Sequence, residues 1–90
     1  MGKHPPEPAF GKPRASRVSD THTMVLYHDR DWCEYIAVVR ANVVDPETGK
    51  PVIVATYHDE YFEAAMHTGE LELAQATANN NVTPLAREFY

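Results

Sequence analysis

The chain has 90 residues, a formal net charge of −5 and a single cysteine, Cys33, which leaves room for one small domain and excludes an internal disulfide. No apolar run is long enough to cross a membrane, and Met1-Gly2-Lys3-His4 opens no secretory leader, so a cytoplasmic location is expected. Charge divides the chain: residues 1–19 carry Lys3, Lys12, Arg14 and Arg17 against Glu7, whereas residues 20–90 set four cations against twelve acids. An acidic body disfavours nucleic acid as the main partner, because that affinity scales with the phosphates neutralised.

Residues 1–19 contain Pro5, Pro6, Pro8 and Pro13 with little apolar content besides Ala9-Phe10. Proline removes backbone donors and restricts φ, so this part reads as a disordered, flexible, basic arm. Residues 20–90 read as a single small α+β domain. Its first predicted strand runs from Thr21 to His28 around Met24-Val25-Leu26-Tyr27, followed by the polar turn Asp29-Arg30-Asp31. The second runs from about Cys33 to Val44. Its odd positions, Cys33, Tyr35, Ala37, Val39, Ala41 and Val43, bear no charge and are expected to face the core.

Asp45-Pro46-Glu47-Thr48-Gly49-Lys50 reads as a hairpin turn, with Pro46 suited to a type I turn and Gly49 to a left-handed conformation. The third strand, Val52 to Tyr57, is apolar on both faces. Asp59 suits a helix N-cap, and Phe62, Ala65, Met66, Gly69, Leu73 and Ala76 form a stripe of helical period. One helix from Glu60 to Ala78 is therefore expected, continuing through Gly69 and ended by Asn79-Asn80-Asn81. Thr83-Pro84 is placed to start a last turn, from Leu85 to Tyr90. The expected architecture is a three-stranded antiparallel meander, β-β-β-α, with one long C-terminal helix packed on one face.

The tripeptide Tyr-His-Asp occurs twice, at Tyr27-His28-Asp29 and Tyr57-His58-Asp59. In a meander the ends of the first and third strands fall at the same end of the sheet, about 10 Å apart. His28, Asp29, His58 and Asp59 then make a candidate metal set, since imidazole and carboxylate are legitimate zinc or iron ligands. The competing reading is architectural: tyrosine closes the strand, histidine is exposed and aspartate caps the next element. Cys33 lies on the presumed core face, where thiols are inert, and no Gly-rich phosphate loop exists, so no cofactor is expected.

One helix covers one face of a small sheet. Ile36, Val38, Val52 and Val54 are left over and call for a second subunit or a partner, making a homodimer the expectation. Trp32, Tyr35, Arg40 and Tyr61 join them as candidate interface residues, because Trp, Tyr and Arg dominate interface energies. The function expected is a non-enzymatic protein-binding module, of the accessory, regulatory or inhibitor kind found also in viruses and mobile elements. It would act through its acidic body and an exposed apolar sheet face. The alternatives are a metal-dependent enzyme or sensor at the Tyr-His-Asp strand ends, and a nucleic-acid-associated protein using the basic arm.

Overall fold

A computed structural model describes residues 12–80. Four strands and one helix follow in chain order: β1 (Ala15–Val18), β2 (His22–Asp29), β3 (Glu34–Asp45), β4 (Lys50–Asp59) and α1 (Phe62–Asn79). The strands form one antiparallel sheet in the order β1-β2-β3-β4. The α+β character and the β2-β3-β4-α1 meander match the sequence reading. The count of strands does not: β1 is a fourth strand, lying inside the stretch read as a flexible arm. Its sequence Ala-Ser-Arg-Val has too little apolar content to stand out beside the prolines. Pairing alone defines it, from Ala15 opposite Leu26 to Val18 opposite Thr23, with the Arg14 amide donating to the Leu26 carbonyl at 2.7 Å. The expected last turn, Leu85–Tyr90, lies outside the described residues.

Each of β2, β3 and β4 ends on an aspartate. In all three the carboxylate turns back on the chain and accepts from the amide two residues on: the Asp31 amide donates to Asp29 Oδ1 (3.0 Å), the Glu47 amide to Asp45 Oδ1 (2.8 Å) and the Tyr61 amide to Asp59 Oδ1 (2.9 Å). A short acidic side chain that bonds its own backbone halts a strand and starts a turn. In the β3–β4 hairpin the Gly49 amide also donates to the Asp45 carbonyl at 2.8 Å, and Gly49 adopts φ +72°, as the turn sequence predicts. Asp59 is therefore not the N-cap of α1. Tyr61 holds that position without a side-chain cap, and Asp59 sets the junction two residues earlier.

The register explains which residues meet the helix. Met24, Leu26, Ala37, Val39 and Ala41 point to α1 and pack on Ala65, Leu73 and Ala76, with Tyr35 half-buried against them. These are the expected odd positions of β3, minus its two ends. Cys33 sits in the β2–β3 turn, exposed, with its backbone at φ +52°, and Val43 is exposed beyond an irregularity in the pairing. The assignment of Cys33 to the core face is thus corrected: the strand begins one residue after it.

Val52 and Val54 are also placed differently from the expectation. Val39 pairs with Ala55 and Arg40 with Ile53, so Val54 is an extra residue in β4. A bulge of this kind breaks the two-residue alternation. Val52, Val54, Ala55 and Tyr57 all join the helix side, and Ile53 is the apolar residue of β4 that joins the cluster on the other face. Val52 and Val54 are buried core residues and not a free surface.

The helix runs unbroken through Gly69 and ends at Asn80, whose left-handed backbone (φ 50°, ψ 46°) returns its amide to the Ala76 and Thr77 carbonyls. Gly69 is buried against the sheet. A methyl group there would stand 2.9 Å from Ala37 Cβ and 3.1 Å from Met24 Cγ and Sδ. Gly69→Ala gains about 1 kcal/mol of helix propensity, but overpacking a filled core costs about 1–3 kcal/mol. A net destabilisation is expected, read as a lower urea midpoint, and Gly69→Leu should be worse. A Gly69→Ala chain more stable than the parent would show that helix and sheet are not in contact there.

Candidate functional site

The ends of β2 and β4, the start of β3 and the start of α1 all meet at one end of the sheet. His28 pairs with Tyr35, and Tyr35 pairs with Asp59, so these three form one row across β2, β3 and β4. In the next row Tyr27 pairs with Ile36 and Ile36 with His58. The two Tyr-His-Asp copies are therefore out of step by one residue. Because side chains alternate across a sheet, His28 and Asp59 lie on the helix side while Tyr27 and His58 lie on the opposite side. The two histidines do not face one another, and neither do the two aspartates. Among the described residues no group of three or more His, Cys, Asp or Glu side chains is placed to hold a metal ion.

What the register does assemble is aromatic. The His28 ring stacks on Tyr35 at 4.6 Å with 29° between planes, and Tyr35 meets Phe62 edge-on at 5.5 Å and 82°. Both geometries are favourable for aromatic quadrupoles. Beyond this chain, Trp32 in the β2–β3 turn is 77 % exposed, Tyr61 at the β4–α1 junction is 68 % exposed, and Phe62 is 39 % exposed. Phe62 was legible only as the first apolar residue of the helical stripe; its exposure and its contact with Tyr35 depend on where the helix starts.

The framework under these rings is held by short polar contacts. Tyr57 Oη donates to Asp59 Oδ2 at 3.0 Å, while Asp59 Oδ1 takes the Tyr61 amide, so one carboxylate ties strand to helix entry. Asp29, itself buried, holds the turn that carries Trp32 through the Asp31 amide, with the Trp32 amide more distant at 3.4 Å. His58 Nδ1 lies 3.2 Å from Glu34 Oε2 on the far side of the sheet, an exposed pair worth about 0–1 kcal/mol at most. The residues next to these rings in sequence are acidic: Asp31, Glu60 and Glu63 are exposed, with Arg30 the one cation in the two segments.

The remaining candidates separate cleanly. Trp32 and Tyr61 are solvent-exposed at this end, and Tyr35 is half-buried beneath it. Ile36 and Val38 are buried on the face away from α1. Arg40 is half-buried on that same side and already engaged. The apolar sheet face expected to be exposed is thus buried in the structure. No protein-family model matches the chain, and neither a curated protein nor a solved structure shows significant similarity to it.

Two substitutions probe this framework. Asp59→Ala strands the Tyr61 amide and Tyr57 hydroxyl and should cost about 1–2 kcal/mol in chemical unfolding, while Asp59→Asn should retain most of it. An alanine variant with an unchanged midpoint would mean the carboxylate does not organise the junction. His28 Nδ1 is buried with no hydrogen-bond partner, a defect of about 1–3 kcal/mol. His28→Phe keeps a ring on Tyr35 and removes the stranded atom, so its melting temperature should equal or exceed that of the parent; a marked fall would show that the imidazole nitrogen is in fact satisfied.

Proposed function

We propose that the chain is a non-enzymatic protein-binding module of the accessory or regulatory kind, and that it docks through the aromatic, acidic end of its sheet. The observation that supports this reading is the exposure of Trp32 and Tyr61, both more than two-thirds exposed, on the two connections at one end of the sheet whose turns are held by Asp29 and Asp59. Exposing two large rings at one end of a small domain leaves apolar area in water without a folding benefit. Trp and Tyr bring large contact area with few rotatable bonds, which is why they recur as binding hot spots.

The carboxylates next to these rings in sequence select the partner's chemistry. Asp31, Glu60 and Glu63 favour a surface bearing Lys or Arg, and a cation can also rest on the Trp32 ring. The same charges repel phosphate, which disfavours nucleic acid at this end. Pre-set turns reduce the ordering cost of binding, so a modest surface suffices for a specific contact.

Trp32 is the only tryptophan in the chain, so its fluorescence reports on this site alone. A purified partner obtained with the intact chain should shift Trp32 emission to the blue on titration. Trp32→Ala with Tyr61→Ala should weaken that complex by about 100-fold or more, with far-ultraviolet dichroism and melting temperature unchanged. A genuine partner whose binding leaves the emission unmoved and tolerates the double variant would place the docking surface elsewhere.

A further inference from the structure

At the end of the sheet that carries Trp32 and Tyr61, charge is sorted by strand. β1 runs antiparallel to β2, so the residues leading into β1 lie beside the Asp29 end of β2. The Arg14 amide, donating to the Leu26 carbonyl, extends the ladder in that direction. Lys12 and Arg14 are both exposed there. On the opposite edge, where β4 hands over to α1, Glu60 and Glu63 are exposed. The β2–β3 turn between them carries Arg30 and Asp31, one charge of each sign, together with Trp32. Asp29, Glu34 and Asp59 lie at this end too, each engaged within the chain. Across the strand order the end is thus positive at β1, balanced and aromatic at β2–β3, and negative at β4, over about 14 Å for three strand spacings.

We propose, resting on the docking role given to this end above, that its occupant is a second copy of the same chain, joined end to end across a two-fold axis along the sheet normal. Such an axis reverses the strand order between the copies. β1 of each then faces β4 of the other, and the two Trp32 turns meet at the axis. Lys12 and Arg14 of one copy oppose Glu60 and Glu63 of the second, and the same contact occurs twice, as an isologous interface requires. An axis across the strands would instead set Arg14 against Arg14 and Glu60 against Glu60, which like-charge repulsion disfavours.

Charge complementarity argues for a copy over an unrelated basic surface, because the chain presents both halves of the contact at one end. Among the described residues, Lys12, Arg14, Glu60 and Glu63 have no side-chain ion pair, whereas Arg17, further along β1, is bonded to Glu70 at 3.2 Å. The net charge of −5 opposes any approach of two copies that does not align opposite signs, and the two-fold arrangement aligns them. Size sets the strength. Trp32 and Tyr61 each bring about 150–250 Å² when buried, so the rings supply roughly 300–500 Å² per copy, short of the ~800 Å² of a standard interface. The dimer is therefore weak and reversible, and another protein can displace the second copy.

The test follows the intact chain by sedimentation velocity and Trp32 emission from about 1 μM to about 1 mM, the span in which a weak contact passes from dissociated to formed. Association with rising concentration, accompanied by a blue shift of Trp32, is expected. Arg14→Glu alone and Glu60→Arg alone should each weaken association by about tenfold or more, because each makes both contacts repulsive, with far-ultraviolet dichroism unchanged. Mixed in equal amounts, the two variants should form a heterodimer of parental strength, since both contacts are then attractive again. A structural defect in either variant would not be repaired by mixing. A strict monomer over the whole range overturns the second-copy proposal and leaves the docking role of this end to a different protein. A dimer with unmoved Trp32 emission places the contact elsewhere and overturns it too. Association that shifts Trp32 yet ignores the single charge reversals, or is not restored by mixing, overturns the two-fold pairing. The parent chain alone decides the first two outcomes if a variant does not fold. The docking role itself is judged separately, by a different partner's response to Trp32→Ala with Tyr61→Ala.

Discussion

Where Gly69 crosses Ala37 and Met24, helix and sheet stand closer than a methyl group allows. That approach sets the height of α1 above the sheet along its whole length. Ala65 and Ala76, one turn or two to either side, can then fill the gap with side chains no larger than a methyl, and Leu73 supplies the one larger wedge. Small residues on both layers belong together: Ala37 and Ala41 on β3 answer them from below. Larger residues at any of these positions would lift the helix and uncover Met24 and Leu26, which are completely buried in the present arrangement. Packing at interior density leaves little slack for such a change.

A low helix of this kind covers a limited area, and that consequence runs through the rest of the domain. The sheet is apolar on both sides because β3 and β4 carry more β-branched and aliphatic residues than one helix can shield. The bulge at Val54 eases the imbalance by bringing Val52, Val54 and Ala55 to the same side. At the helix entry, the carboxylate of Asp59 replaces an N-cap by gripping the chain before the helix begins, leaving Tyr61 and Phe62 free to turn outward. The aromatic end is thus a by-product of how the strand hands over to the helix, and the stack of His28 on Tyr35, with Phe62 edge-on to Tyr35, gives it rigidity.

Much of this was legible in the residues. Alternation in β3, the Asp45–Lys50 hairpin and the helical stripe through Gly69 each follow from local patterns, and each stands in the structure. The features that were not legible depend on pairing between strands. β1 has no apolar signature, so only its hydrogen bonds to β2 reveal it. The bulge in β4 leaves no mark in a run where every residue is apolar, and strict alternation therefore sent Val52 and Val54 to the wrong face. For the candidate site, Trp32 and Tyr61 were visible by residue type, whereas the one-residue offset that sends His28 and His58 to opposite sides depends on loop length and register. The repeated tripeptide recurs because the same strand-ending aspartate serves twice, and Asp45 shows that the tyrosine and histidine are not required for it.

The bulge at Val54 also fixes where the chain tolerates a change of length. Removing one residue from β4 on the hairpin side of the bulge would slide Val52 outward and drive Ile53 beneath the helix, inverting half a strand while leaving its composition almost untouched. The Pro46–Gly49 loop, exposed and closed by hydrogen bonds to Asp45, carries no such phase information. Insertions arising in this gene would therefore be accepted at the hairpin tip and rejected a few residues later, so relatives of this chain should differ in that loop and agree in the spacing between Lys50 and Asp59.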